Sequence, residues 1–358
     1  MNRVERARAL FREYGIDGLL VTSKTNRYYM SGFTGSSGNL VISDRDMILL
    51  TDFRYTSQAS EQAKGFKIIE HSAPLMEEAA KAAHNAQIKK LGFEQDSLSY
   101  AMHKSYEKAL EGTGVELVPV SGLVEKLRLI KDTSEIKIIK DAAEIADAAF
   151  AHILSYIKPG IRECDVSNEL EFFMRKSGAA SSAFDIIVAS GWRSALPHGV
   201  ASQKVIETGE LVTLDFGAYY NGYVSDLTRT VAVGDVSDEL KNIYQVVYEA
   251  QLKGMAGIKP GLTGREADAL TRDHIADKGY GSYFGHSTGH GIGLDVHEAP
   301  ALSVKSDTIL KPGMIVTVEP GIYVSGLGGV RIEDDALITE NGNECLTHAD
   351  KSFIVLDQ

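Results

Sequence analysis

A stretch of this chain occurs twice. Ile157-Lys158-Pro159-Gly160 returns as Ile258-Lys259-Pro260-Gly261, and Gly178 returns as Gly279, both 101 residues later. Farther along, Gly209, Val212, Thr213, Asp215 and Gly217 return as Gly313, Val316, Thr317, Glu319 and Gly321, now at a shift of 104. Such a repeat constrains the fold more than any single motif, because each copy must build the same unit and the two must share a core. Each copy reads as a helix, an Ile-Lys-Pro-Gly turn, a second helix, and then antiparallel strands that carry acidic residues. Duplication of this kind commonly sets a site on the pseudo-twofold axis between copies, and the acids Asp215 and Glu319 fall at matching positions.

The chain has 358 residues, more than one hydrophobic core usually serves, so two domains are expected. Ahead of the repeat, an amphipathic segment over 2–14 is followed by apolar runs at 18–22, 39–43 and 47–51. Helical patterns follow near 54–63, 76–87 and 98–111. This order predicts a small α/β domain over 1–122, with helices on a mixed sheet. The remainder, 123–358, forms the second domain. Asp132 and Glu135 are spaced as the N-cap and N3 residues of the helix expected to open it.

In the segment LVTLDFGAYYNGYVSDLTRTVAVG, two β-prone runs flank Asn221-Gly222, the pair that a tight hairpin turn favours. Taking those residues as the loop pairs Tyr220 with Tyr223, sets Gly217 opposite Asp226, and sets Asp215 opposite Thr228. Residues two apart share a face, so Asp215 and Asp226 become diagonal neighbours, roughly 7 Å apart at the backbone. Carboxylates this close in a half-buried site repel each other, and one takes up a proton unless a cation is present. Glu319 and Glu333 raise the same problem in the second copy, where Arg229 and Arg331 are the available basic partners. If all four acids converge, two divalent cations compensate the charge. An oxygen-rich set with one imidazole suits manganese, cobalt, iron or zinc, without choosing among them.

The imidazole comes from GHSTGHGIGLDVHEAP, which holds His286, His290 and His297. His290 lies between Gly289 and Gly291, and flanking glycines let its backbone approach other groups closely while leaving the ring accessible.

Five runs, ALPHG (195–199), LDFG with GYVSDLTRT (214–230), STGHGIGLDVHEAP (287–300), VEPGIY (318–323) and GVRIEDD (329–335), resemble the motif set of the pita-bread metallopeptidases, specifically the prolidase and aminopeptidase P branch. The likeness extends to the N-terminal runs RYYMSGFTGSSG and TDFRYTSQA, so it covers essentially the whole chain. It implies a small N-terminal α/β domain followed by a pita-bread domain with an internal pseudo-twofold. It also implies two metal ions, manganese foremost, on Asp215, Asp226, His290, Glu319 and Glu333, with Asp226 and Glu333 bridging. By the same resemblance His198 contacts substrate near the scissile bond, His297 stabilises the tetrahedral intermediate, His286 lines the pocket, and Tyr323 and Arg331 hydrogen-bond around the ligand carboxylates. Glu319 is the implied general base.

The implied reaction is cleavage of the Xaa-Pro bond in short peptides by a homodimer. Proline there makes a tertiary amide without N–H, so its site needs apolar walls, for which Phe184 and Trp192 are candidates. Methionine aminopeptidases share the catalytic half but generally lack a sizeable N-terminal domain. Creatinase and the non-catalytic binding modules of the fold lack the ligands present here.

Bulk properties exclude other classes. Lys plus Arg number 37 against 49 for Asp plus Glu, a net charge of −12 that opposes binding to nucleic acid. No apolar run approaches the roughly 18 residues that span a bilayer, and the charged start MNRVERARALFREYG has no apolar signal core, so a cytoplasmic location is expected. Cys164 and Cys345 stand alone and read as reduced thiols.

Overall fold

The computed structural model describes residues 2–356, and the chain divides into two compact units, Met1–Arg128 and Leu129–Gln358. The first contains α1 (Arg3–Tyr14), β1 (Gly18–Val21), α2 (Lys24–Ser31), β2 (Asn39–Ser43), β3 (Met47–Thr51), α3 (Thr56–Gln62), β4 (Lys67–Glu70), α4 (Leu75–Asn85), β5 (Lys90–Glu94), α5 (Tyr100–Leu110), β6 (Glu116–Val120) and α6 (Leu123–Arg128). Its strands form one sheet in the order β4-β3-β2-β1-β5-β6. β1 runs antiparallel to β2 and parallel to β5, which is the mixed sheet expected. Leu20, Val41, Leu50, Leu91 and Phe93 fill the layer beneath α4 and α5.

The division falls after Arg128 and not after 122, because α6 closes the first unit. Tyr29 Oη donates to the Leu127 carbonyl at 3.0 Å, Arg6 donates to the same carbonyl at 3.0 Å, and Arg128 donates to Asn26 Oδ1 at 2.8 Å. These bonds tie the Leu127 carbonyl and the Arg128 guanidinium of α6 to α1 and α2 inside the first unit.

The second unit opens with α7 (Thr133–Ile153), where Asp132 and Glu135 form the expected capping box. Then come α8 (Glu163–Lys176), β7 (Ser181–Ser182), β8 (Ile187–Ser190), β9 (Glu210–Phe216), β10 (Ala218–Tyr220), β11 (Tyr223–Val224) and β12 (Leu227–Val233). The second copy follows with α9 (Asp238–Gly257), α10 (Gly264–Asp277), β13 (Gly289–Gly291), β14 (Glu298–Leu302), β15 (Ile315–Val318), β16 (Gly321–Val324), β17 (Gly328–Arg331), β18 (Asp334–Ile338) and β19 (Asn343–Cys345); β20 (Val355–Leu356) comes last.

The repeat is carried by the backbone hydrogen bonds. Glu163 N–H donates to the Lys204 carbonyl and Cys164 N–H to that of Ser202; Gly264 donates to Thr308 and Arg265 to Ser306 in the same way. The pairing of Ser190 with Val212 in the first copy becomes that of Gly291 with Val316 in the second. Each copy buries its own apolar layer, Val188, Val212, Leu214 and Val231 in one and Val316, Val318, Ala336 and Ile338 in the other. No helix among the described residues is long and apolar enough to cross a membrane.

Candidate metal centre

The hairpin of the first copy has the expected register. Tyr220 faces Tyr223 and Asp215 faces Thr228, with Asn221 and Gly222 at φ 47° and 89°, the positive values that their turn requires. Between these paired stretches the ladder opens. Asp226 N–H turns away to donate to Asp335 Oδ2 at 3.0 Å. Gly217 permits this: a Cβ there would lie 1.8 Å from the Ser225 carbonyl oxygen. The second hairpin repeats the register, Val318 facing Asp334 and Gly321 facing Arg331, so Glu319 falls opposite Glu333.

Superposing the two ladders makes Thr228 the counterpart of Glu333, and Arg229 that of Asp334. Both pairs touch. Thr228 Oγ1 donates to Glu333 Oε2 at 2.6 Å, and Arg229 Nη2 donates to Asp334 Oδ1 at 2.7 Å. The pseudo-twofold axis therefore runs between β12 and β18, beside the acids.

Asp215, Asp226, Glu333, His290 and Glu319 all line one cavity of about 520 Å³, together with His198, His286, His297 and Arg331. Potential ligand atoms of Asp226, His290 and Glu333 lie within 4.8 Å of one another. His290 Nε2 is 3.2 Å from Glu319 Oε1 and 3.8 Å from Asp226 Oδ2. Its Nδ1 lies 3.1 Å from the Gly291 carbonyl, and Thr317 Oγ1, which accepts from His290 N–H, donates to Glu319 Oε1. Arg331 forms an ion pair with Asp215, donates from Nη1 to Tyr323 Oη at 2.8 Å, and reaches the Pro197 carbonyl at 3.2 Å. Tyr323 Oη lies 2.8 Å from His286 Nε2. The His290 and His297 rings stand 4.4 Å apart.

Burial, then repulsion from neighbouring acids, holds Asp226 and Glu333 well above the ordinary carboxylate range. Asp215 is raised by burial, with Arg331 opposing. Burial is the strongest influence on Glu319 and works to raise it, but the hydrogen bond and charge of His290, joined by the charges of His286 and Arg331, together hold it below the ordinary value, while His290 is raised. Burial keeps His286 and His297 below the ordinary imidazole value.

This donor set fits divalent cations. An imidazole with one nitrogen at a backbone carbonyl aims the other at the acids, the arrangement in which a ligating histidine is held in one tautomer. The strained acids are those a cation would relieve, and the oxygen-rich set suits manganese, cobalt, iron or zinc.

Of the two candidate walls, Phe184 lines the cavity, whereas Trp192 is 57% exposed on a single-turn 3-10 helix and does not. Sequence reasoning also gave no role to Thr228, Thr317 and Asp335, although Thr228 and Asp335 lie inside the motif runs and Thr317 inside the repeat. Thr228 was within reach, since a shift of 105 lays it on Glu333. Asp268 and Arg272 were missed as well: Asp268 Oδ1 accepts from Thr288 N–H at 2.9 Å and Arg272 donates to the His286 carbonyl at 2.6 Å, fixing the segment that leads into His290.

Comparison with known proteins gives the family. Residues 137–340 match metallopeptidase family M24, and residues 3–130 match the creatinase/prolidase N-terminal domain. An uncharacterized peptidase of Bacillus subtilis (strain 168) is 63% identical over 99% of this chain and 100% of its own. The solved Xaa-Pro dipeptidase from Bacillus anthracis is also 63% identical, covers 99% of both chains and superposes with a TM-score of 0.97. The X-Pro aminopeptidase from Thermotoga maritima MSB8 is 40% identical over 98% of this chain and 99% of its own, with a TM-score of 0.91. The chain belongs to the M24 metallopeptidases, a pita-bread catalytic domain preceded by a domain of the creatinase/prolidase type.

Proposed function

We propose that this metallopeptidase hydrolyses the Xaa-Pro bond of short peptides with two divalent ions, manganese first among the candidates, held by Asp215, Asp226, His290, Glu319 and Glu333. The observation that carries the reading is the convergence of four acids and one imidazole on a single cavity. The proline preference is supported by the name Xaa-Pro dipeptidase borne by a protein 63% identical.

Bound there, the ions would supply Lewis acidity, making water nucleophilic near neutral pH and polarising the scissile carbonyl. Asp226 and Glu333 would hold both ions, each offering two oxygens. Glu319 takes the proton of the attacking water. Burial and the adjacent His290 keep the His297 ring neutral, which leaves it one N–H to give to the developing oxyanion, a bond that strengthens in the transition state. His198, exposed at the cavity, contacts substrate beside the scissile bond and joins Glu319 in returning a proton to the leaving nitrogen. Burial pushes the Tyr323 phenol up to about 12, so with Arg331 donating to it, its own proton is directed at His286. That chain orients Arg331 on Asp215. Phe184, Ile187, Val200 and Val296 on the cavity wall accept a proline ring without leaving a polar group unpaired.

Protein stripped with chelator and reloaded with manganese or cobalt should cleave an Xaa-Pro dipeptide, and Asp226→Ala should abolish metal uptake. Inactivity with every divalent metal would sink the hydrolytic reading. Comparable turnover of Met-Ala peptides would turn the preference toward methionine aminopeptidases. A second reading, aminopeptidase action on longer peptides, is favoured by the likeness to the X-Pro aminopeptidase. An Xaa-Pro dipeptide assayed beside an Xaa-Pro-Xaa tripeptide separates the two. We assign the working form as a cytosolic homodimer: the free thiols of Cys164 and Cys345 fit a reducing compartment, and light scattering of the purified protein tests the dimer.

A further inference from the structure

Away from the cavity, one buried carboxylate gathers both ends of the segment that carries His198. Glu163, the first residue of α8, has no exposed surface. Its Oε1 accepts from Ser190 N–H at 2.7 Å and from the Ser190 hydroxyl at 2.9 Å. Its Oε2 accepts from Ser202 N–H at 3.1 Å and from the Ser202 hydroxyl at 2.6 Å, and pairs with Arg193. Arg193 in turn donates from Nη2 to the Val200 carbonyl at 2.9 Å. Between Ser190 and Ser202 lie Pro197, His198 and Val200, all on the cavity wall.

The repeat provides an internal control. At the shift of 101 the counterpart of Glu163 is Gly264. Both helix starts make the same backbone bonds, 3.0 and 2.9 Å in the first copy and 2.9 and 2.8 Å in the second. The helix start therefore does not need a side chain at this place. In the second copy a Cβ on Gly264 would lie 2.2 Å from the Ala301 carbonyl oxygen, because the facing segment packs directly on the helix. In the first copy the carboxylate fills that space, and every bond it makes beyond its own backbone goes to one segment. A carboxylate removed from water in this way is costly unless paired and fully hydrogen-bonded, so the segment and the carboxylate hold each other.

We propose that Glu163 is a positioning residue: acting through Arg193 and the two serines, it fixes the turn at His198 so that the imidazole meets the substrate beside the scissile bond. The proposal rests on the hydrolytic reading given above. Pro197, immediately before His198, is tethered separately by Arg331 at 3.2 Å. Without the Glu163 carboxylate, Arg193 loses its charged partner and Val200 its donor, and the turn is left with its ties through Pro197 to Arg331, through Ser194 to Gly329 N–H and through Ala201 N–H to the Ile186 carbonyl. The five metal-ligand candidates sit on or beside other strands and keep their places.

The test uses Glu163→Gln in the full chain, loaded with manganese. An amide cannot accept all the donors that the carboxylate serves, so kcat on an Xaa-Pro dipeptide should fall on the order of tenfold to a hundredfold, the scale of a small misplacement of a catalytic group. Manganese affinity should stay as in the parent protein. Glu163→Asp should recover much of the loss. In a His198→Ala background Glu163→Gln should cost little further, because both changes act on the same contact; fully additive losses would overturn the proposal. Hydrogen exchange read by mass spectrometry supplies a measurement free of catalysis: amides of 190–202 should exchange faster in Glu163→Gln while those of 284–290 do not. If the parent protein fails to cleave Xaa-Pro bonds, the hydrolytic reading falls and the exchange result still decides on Glu163, unchanged exchange in 190–202 overturning it. Should Glu163→Gln fail to fold, Arg193→Lys, which keeps the charge but cannot span Glu163 and Val200 together, is subjected to the same measurements.

Discussion

The Thr228 hydroxyl donates to Glu333 Oε2 across 2.6 Å, and these two residues occupy the same place in the two copies of the hairpin. A residue touches its own counterpart only on the symmetry axis, so the axis passes between Thr228 and Glu333, at the side of the acidic cluster. The duplication thus brings acids together by construction, and sequence divergence across the axis decides which of them keep a charge. On the first strand of each hairpin both copies keep an acid, Asp215 and Glu319. On the returning strand Asp226 corresponds to Arg331, and Thr228 to Glu333. Glu333 there accepts from Thr228 of the other copy, which orients its oxygens, whereas Arg331 turns to Asp215 and leaves Asp226 among acids.

Thr228→Val removes that donor at constant volume. Loss of an outer hydrogen bond to a ligating carboxylate typically weakens metal binding about 10–100-fold, and the same is expected here. Competition against a chelating indicator dye measures it. An affinity equal to that of the parent protein would take Glu333 out of the ligand set.

Binding of metal should release protons. Burial and mutual repulsion hold Asp226 and Glu333 well above the ordinary carboxylate range in the metal-free fold. Between the ordinary value and the raised one, the folded chain binds more protons than the unfolded chain. Metal-free stability is then fullest below the ordinary carboxylate range and declines as pH rises through the raised values. A cation displaces those protons, so its stabilising effect should grow as pH rises from the ordinary carboxylate range through the raised values. Calorimetric titrations in buffers of different ionisation enthalpy should show proton release that shrinks once pH passes above those values. Metal binding with no buffer dependence anywhere in that range would mean that the acids are already ionised without metal.

Arg331 is 3% exposed and is the ion-pair partner of Asp215. Arg331→Met fills most of the same volume but leaves Asp215 buried without its cation, which costs roughly 3–5 kcal/mol when a buried pair loses one member. Urea unfolding of the chelated protein should show that loss. The metal-loaded variant should recover part of it, since an ion near Asp215 replaces the missing positive charge. An equal loss in both forms would place Asp215 outside the metal's reach.

What could be read from the sequence was whatever local pattern encodes. The Asn221-Gly222 turn, the register that puts Asp215 across from Thr228, the Asp132–Glu135 capping box and the repeat itself all follow from residue order at short range or from self-similarity. The pairing of Arg229 with Asp334, and the brace of Asp268 and Arg272 behind His286, join residues whose meeting depends on how the two copies pack, and no periodicity announces it. Trp192 illustrates the reverse failure: a large aromatic near the expected site was read as wall, but a 3-10 turn leaves it exposed. The end of the first unit was placed too early for a related reason, since α6 reads as the start of the helical stretch that follows it, yet hydrogen-bonds back to α1 and α2.

His290 offers a way to separate the metal site from overall stability without touching a ligand. A Cβ on the preceding Gly289 would lie 1.9 Å from the Thr317 carbonyl oxygen, a distance that no side-chain adjustment relieves because the obstacle is backbone. Gly289→Ala must therefore push β13 away from β15, breaking the 3.1 Å bond from His290 N–H to Thr317 Oγ1. The same hydroxyl orients Glu319, so two candidate ligands move at once. Metal content measured by mass spectrometry should drop well below that of the parent protein even where the variant remains folded by circular dichroism. Gly285→Ala is the matched control: nothing lies within 4 Å of its Cβ position, so the same substitution four residues earlier should leave metal content unchanged. If both variants retain metal equally, the close packing of β13 against β15 is not what holds His290 in place, and the ring must be oriented by its own contacts with the Gly291 carbonyl and Glu319.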